Sequence, residues 1–169
     1  DPRTYFSTMG CRTANGFDIN GFGQLKDGRG NICPVTIILP TIAMEAARYY
    51  ADKPCGDIEE DTIDFFFQLL EEAIVDAKDM LPDRFEYICA QDASAAKFMY
   101  ENNTMAGYIP EEGIRSALKH GTLAIGQLGL AECLQILVKC DHTKPKGMDL
   151  AKHIEQLFKN KCAQFKEAY

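Results

Sequence analysis

A chain of 169 residues with a net charge of −7 can bury a real core but lacks the basic stripe that a broad nucleic-acid surface needs against phosphates. Hydrophobic residues at 46% and charged residues at 25% put it with soluble globular chains and exclude disordered and collagen-like classes. No apolar run nears membrane-spanning length and no charged-then-apolar segment opens the chain, so neither a membrane partner nor secretion is expected.

Residues 1–10 end in Met9-Gly10, expected as the tail of a strand. Residues 10–31 hold six glycines and little periodic hydrophobicity. A loop of that length inside a compact domain points to function or disorder. Ile32 to Leu39 reads as a buried strand closed by Pro40. Residues 41–52 read as a helix with Ile42, Ala46 and Tyr49 on one stripe. The clearest element is a helix over Ile58 to Leu81, whose apolar residues at 63, 66, 67, 70, 74, 77 and 81 follow the helical period. Pro82 is expected to end it. Phe85 to Ala90 suggests a short strand and Ala93 to Tyr100 a helix. A loop follows at Gly107 and Pro110, then helical turns over Glu111 to Lys119. Thr122 to Ile125 is a strand candidate ahead of a helix near Leu130 to Lys139. Met148 to Phe165 is helical on a 150, 154, 157/158, 165 stripe. With no repeat, low-complexity tract or linker, the expectation is a single helix-rich domain over 1–169 with a few strands.

The seven cysteines, at 11, 33, 55, 89, 133, 140 and 162, are odd in number and scattered. That argues against a disulfide framework and for a reducing, cytoplasmic setting. None lies at zinc-ligand spacing from another, and Cys140-Asp141-His142 alone is a poor ligand pair, so no metal site is expected. Cys11, in Met9-Gly10-Cys11-Arg12-Thr13, has small neighbours that leave its sulfur unshielded, and Arg12 favours a thiolate. Taken by itself it reads first as a small buried hydrophobe, and only second as a functional thiol. Gly28-Arg29-Gly30-Asn31 is a turn signature, without the ending of a phosphate loop. Period two puts Asn31, Cys33, Val35 and Ile37 on one strand face, with a bulge or edge expected at Pro34. The glycines of His120-Gly121-Thr122 and Gly129-Leu130-Ala131-Glu132 suggest close backbone approach, with Glu132 in the first turn of a helix. His120 reads as a structural histidine, and Cys133 and Cys140 as core. No Gly-x-Ser-x-Gly or His-Glu-x-x-His occurs, leaving the common hydrolase routes without support.

In their order, Met9-Gly10-Cys11-Arg12-Thr13, Gly28-Arg29-Gly30-Asn31 and Thr36-Ile37-Ile38-Leu39-Pro40 resemble the anaerobic, class III ribonucleotide reductases. The later His120-Gly121-Thr122 and Gly129-Leu130-Ala131-Glu132 are similar to theirs as well. The resemblance implies an α/β fold: a helix-rich partial barrel, a piece of a ten-stranded α/β barrel with a finger loop. It implies that Cys11, at the loop's tip, becomes a thiyl radical and takes the 3′ hydrogen of a ribonucleoside triphosphate. It further implies a parent enzyme with a glycyl radical installed by an S-adenosylmethionine iron–sulfur activase. Zinc and nucleotide effectors are implied to bind outside this piece, which carries no cofactor of its own, and the parent is expected to be a homodimer. Where many members of the family read Thr-x-Asn-Leu-Pro, this chain has Ile38, so Asn31 becomes the candidate polar partner of the ribose. Cys33 becomes a candidate redox thiol, which would favour a protein dithiol over formate as reductant. The chain opens on aspartate and reads as an internal piece, inactive alone. Two alternatives stand beside this reading: another glycyl-radical enzyme, such as an acyl or diol lyase, and a degenerate, non-catalytic interaction or regulatory module.

Overall fold

The computed structural model describes residues 7–9, 13–15, 30–51, 53, 57–102, 104–105 and 107–168. In chain order the elements are β1 (Ser7–Met9), β2 (Thr13–Asn15), β3 (Val35–Ile38), α1 (Leu39–Tyr50), α2 (Ile58–Cys89), α3 (Lys97–Tyr100), α4 (Ile114–Leu118), β4 (Ile125–Leu128), α5 (Leu130–Val138) and α6 (Pro145–Ala168). Single 3-10 turns lie at Ala93–Ala96 and Pro110–Glu112. The chain divides into two units, one of Asp1–Pro34 with Leu81–Ala124 and one of Val35–Met80 with Ile125–Tyr169.

The second unit is built from two strand-to-helix steps. The β-branched run Val35-Thr36-Ile37-Ile38 suits a pleated strand. It pairs in parallel with β4, Val35 opposite Ile125 and Ile38 opposite Leu128. Leu39, directly after β3, already belongs to α1, and only Gly129 stands between β4 and α5. Gly129 holds the left-handed conformation at φ 81°, and a Cβ there would meet the Pro40 ring at 2.6 Å. A glycine is required on both counts. Pro40 lies in the first turn of α1, where its missing N–H breaks no hydrogen bond. Pro40 thus opens a helix rather than closing a strand, and β3 occupies only Val35–Ile38 of the expected Ile32–Leu39.

Four helical faces meet over this sheet. Leu39, Ala43 and Ala46 come from α1, Phe66, Leu70, Ile74 and Ala77 from α2, Cys133, Leu134, Leu137 and Val138 from α5, and Leu150, Ala151, Ile154 and Phe158 from α6. Of the stripes expected on α2 and α6, residues 66, 70, 74, 77, 81, 150, 154 and 158 are buried, while 63, 67, 157 and 165 are half-buried at the cluster's edge. Each large side chain enclosed there contributes about 1.5–3 kcal/mol. Asp57 starts α2 by accepting hydrogen bonds from the amides of Glu59 at 3.0 Å and Glu60 at 3.2 Å. Lys139, after α5, is left-handed at φ 59°. Its ammonium donates to the Ile136 carbonyl at 2.8 Å, and the Asp141 carboxylate accepts from the Thr143 amide at 2.9 Å.

In the first unit, β1 pairs antiparallel with β2, Met9 opposite Thr13. The rest gathers on Tyr100, Ile114, Ala117 and Leu118, with Ile32, Phe85, Ile88, Met105 and Tyr108 packed against them. Ser116 is buried yet satisfied: its hydroxyl donates to the Gly113 carbonyl at 2.7 Å and accepts from the Ile109 amide at 2.8 Å. Two expectations fail here for one reason. α2 continues through Pro82 to Cys89, so Pro82 does not end it and Phe85 to Ala90 is no strand. An interior proline costs about 3 kcal/mol, but Leu81 is buried and Phe85 and Ile88, three apart, pack on the apolar cluster only as a helix presents them. Packing outweighs the lost hydrogen bond. The strand expected at Thr122 to Ile125 is displaced as well: β4 is Ile125–Leu128, and Thr122 makes one isolated bridge to Asn31.

Gly129→Ala is expected to destabilise the fold by about 1–3 kcal/mol, through a left-handed alanine and a collision with Pro40. Pro40→Ala should relieve the collision alone. In denaturant unfolding the double variant should therefore fall short of the sum of the two single costs; strict additivity would show that the Pro40 contact contributes nothing.

Candidate functional site

Cys11, the residue to which the family resemblance gives the chemistry, lies outside the described residues, as do residues 10, 12 and 16–29 of the glycine-rich loop. The other sequence-derived candidates are described. In the first unit, the Thr122 amide donates to the Gly30 carbonyl at 2.6 Å and the Ile32 amide donates to the Thr122 carbonyl at 3.0 Å. These bonds hold Asn31 in a parallel bridge with Thr122. Gly121 is needed beside them because a Cβ there would run into the Ile32 side chain. This is the close approach that the glycine spacing suggested.

Asn31 is exposed, whereas Cys33 is only 1% exposed. They do not share one open face. Period two holds only along a strand, and residues 32–34 bend before β3 begins at Val35. Pro34 closes the bend, its carbonyl accepting from the Arg84 guanidinium on α2 at 3.3 Å. Cys89, near the end of α2, is partly exposed. Burial pushes its thiol up; the Arg115 guanidinium pulls the other way, while Glu86 and Cys33 add to the rise. Arg115 is itself ion-paired with Glu86, and its guanidinium lies 5.4 Å from the centre of the Phe85 ring. Burial also raises Tyr100, with Cys89 and Tyr108 contributing. His120 is half-buried just after α4. No sequence spacing pointed to Cys89, because the expected strand at 85–90 concealed the helical face that carries it.

The second unit presents a one-sided sheet. Ile37 is buried against the helices, while Thr36, Ile38 and Leu128 face outward. Ile38 and Leu128, opposite each other in register, are 53% and 61% exposed. Ile38 also occupies the N-cap of α1, where its hydrocarbon side chain offers no cap hydrogen bond. Gln127 donates to Glu155 on α6, and its own carbonyl oxygen is buried without a partner among the described residues. Glu132 stands exposed in the first turn of α5, a favourable place for an anion beside the helix N-terminus. Cys133 is fully enclosed, and burial pushes its thiol up to about 12. Cys140 packs against the same core, as expected. Among the described residues no three His, Cys, Asp or Glu side chains converge as a metal site, and no helix is long and apolar enough to cross a membrane.

Two parallel strands, each passing at once into a helix and covered by helices on one face, define a helix-rich chain of the α/β class. Residues 1–169 match the family described as anaerobic ribonucleoside-triphosphate reductase, and the chain belongs to that family. It is 24% identical over 165 residues to the anaerobic ribonucleoside-triphosphate reductase of Haemophilus influenzae, with 92% of the chain covered. The proteins of the same name from Escherichia coli and Salmonella typhimurium are 26% and 25% identical over 163 residues, each covering 90% of it. The chain spans about a fifth of these relatives, 21% of the length of each.

The cysteine environments separate by reactivity. A thiol held protonated to about pH 12 in the fold, but ionising near its ordinary value when unfolded, stabilises the fold fully below about pH 8.5. That contribution declines as pH rises toward 12. In native protein at about pH 8.5, iodoacetamide should label the partly exposed Cys162 and leave Cys133 free, as read by peptide mass mapping. Equal labelling would contradict the enclosure of Cys133.

Proposed function

We propose that this chain is part of a glycyl-radical ribonucleotide reductase that converts ribonucleoside triphosphates to deoxyribonucleotides through a thiyl radical on Cys11. The observation that carries this reading is the family match along the entire chain. In it, a glycyl radical elsewhere in the parent, installed by an S-adenosylmethionine iron–sulfur activase, supplies the unpaired electron that reaches Cys11. Cys11 gives its S–H hydrogen to that glycyl position, and the sulfur, now carrying the unpaired electron, takes the 3′ hydrogen of the ribose. That step loosens the 2′-hydroxyl, which leaves as water. A thiol S–H bond is weak enough for the exchange to run both ways, so the same sulfur returns the hydrogen at the end. The protein's part is to position the ribose and exclude competing reactions. Two electrons come from formate or from a protein dithiol; Cys33, as a redox thiol, belongs with the dithiol route.

The barrel is proposed on the same footing. A parallel pair is ordinarily covered on both faces, and here Ile38 and Leu128 stand exposed on the face away from the helices. This suits an inner face of a ten-stranded barrel completed by the remainder of a longer parent, as the relatives, each about five times the length of this chain, suggest. Zinc, nucleotide effectors and the second subunit of a homodimer are assigned to that remainder. Asn31, exposed beside Thr122, is the proposed hydrogen-bonding partner of the substrate in place of the asparagine replaced by Ile38.

Cys11→Ser in the full-length parent should abolish nucleotide reduction while leaving glycyl-radical formation intact, as followed by electron paramagnetic resonance. Turnover by the serine variant would remove Cys11 from the mechanism. Asn31→Ala should weaken kcat/KM by up to about tenfold, the worth of one hydrogen bond of about 1.4 kcal/mol. An unchanged kcat/KM would exclude Asn31 from substrate binding.

A further inference from the structure

Residues 32–34 are laid against the last turns of α2 on both sides of Cys33. Ile32 packs on the same cluster as Phe85 and Ile88, and the Pro34 carbonyl accepts from Arg84. Cys33 is therefore carried along the stretch of α2 that ends in Cys89. Cys89 follows Phe85 by four residues, the spacing that places two side chains on one helical face. Both thiols are free, Cys33 buried and Cys89 partly exposed. Burial raises the Cys89 thiol, and Cys33 is among the groups that add to the rise. Cys133, Cys140 and Cys162 belong to the other unit.

We infer that Cys33 and Cys89 form a dithiol–disulfide pair within the first unit, oxidised by a small-molecule or protein disulfide. Their accessibilities give them different parts. Cys89, reachable from solvent, attacks one sulfur of the incoming disulfide as its thiolate, breaking that S–S bond and releasing one thiol. Cys33, shielded, then attacks the Cys89 sulfur of the mixed disulfide and releases the second thiol. One S–S bond is broken and one formed. The two protein thiols lose two electrons and two protons, and the oxidant becomes two thiols. The linkage would tie the bend at residues 32–34, which follows Asn31, to the end of α2.

The groups facing Cys89 are Arg115, Glu86, Tyr100 and Cys33. Burial dominates and keeps Cys89 protonated at neutral pH, so its attack should accelerate as pH rises. This inference goes beyond nucleotide reduction, since it requires no turnover, and its failure would leave the reading of Cys11 intact.

The test uses the full-length parent, kept anaerobic and without its radical, exposed to oxidised glutathione at about pH 9.5, above the ordinary thiol value because burial raises Cys89. Peptide mass mapping should show a Cys33–Cys89 linked peptide, lighter by two hydrogens than the sum of its parts and released by dithiothreitol. In Cys33→Ser, Cys89 should instead retain glutathione as a stable adduct; in Cys89→Ser, Cys33 should stay unmodified. Recovery of wild-type Cys89 only as a glutathione adduct, or of both residues as free thiols, would overturn the pair. The wild-type result decides the matter even if a serine variant fails to fold.

Discussion

Parallel pairing of β3 with β4 is the constraint on which the second unit depends. Parallel neighbours cannot be closed by a hairpin, so the chain must leave Ile38, travel through helices and return at Ile125. The immediate passage of each strand into a helix sets where those helices begin. Pro40 and Gly129 lock the two beginnings together, ring against bare backbone, at a separation that tolerates no additional carbon. α1 and α5 then lie side by side over the sheet, and α2 and α6 supply the rest of the apolar face.

How much of this was legible depended on whether a signal was local or tertiary. The stripes of α2 and α6 could be read because periodic burial is written directly into residue spacing: Phe66, Leu70, Ile74 and Ala77, then Leu150, Ile154 and Phe158, are the buried ones. The prolines misled. Pro40 and Pro82 are both strong local punctuation, yet one opens a helix and the other lies within one. Their meaning is set by partners distant in sequence, Gly129 for the first and the Tyr100–Leu118 cluster around Phe85 and Ile88 for the second. The strand at Ile32 to Leu39 was too long for the same reason: Leu39 is drawn into α1 by complete burial that no local pattern announces.

The candidate site divides along the same line. Cys11 could be singled out only because its motif stands in order with two others, since an unshielded sulfur beside an arginine does not by itself separate a functional cysteine from a small buried one. Glycine spacing did foretell the tight approach at Gly121. The shared face of Asn31 and Cys33 did not survive, because alternation needs an unbroken strand and Pro34 interrupts it. The residues on either side of Cys33 are instead held by a helix that sequence rules end too early, Pro34 through Arg84 and Ile32 on the cluster of Phe85 and Ile88. Ile38 falls at a strand end that is also a helix N-cap. A change of side chain there alters both what the open sheet face offers and how the first amides of α1 are satisfied.

The corner between α5 and α6 carries a consequence for how this sequence can drift. Lys139 holds a left-handed backbone that suits glycine or asparagine better than lysine, and it is tied down by a hydrogen bond from its own ammonium to Ile136. A few residues on, Gly147 has no room for a methyl group because the Asp141 carbonyl lies against it. Substitution is thus open toward smaller residues at one end of the corner and shut at the other. Homologues should vary at 139 among lysine, asparagine and glycine while avoiding β-branched residues. An insertion accepted between 139 and 147 would have to rebuild both helix ends at once, which makes this corner a fixed reference point when distant members of the family are aligned.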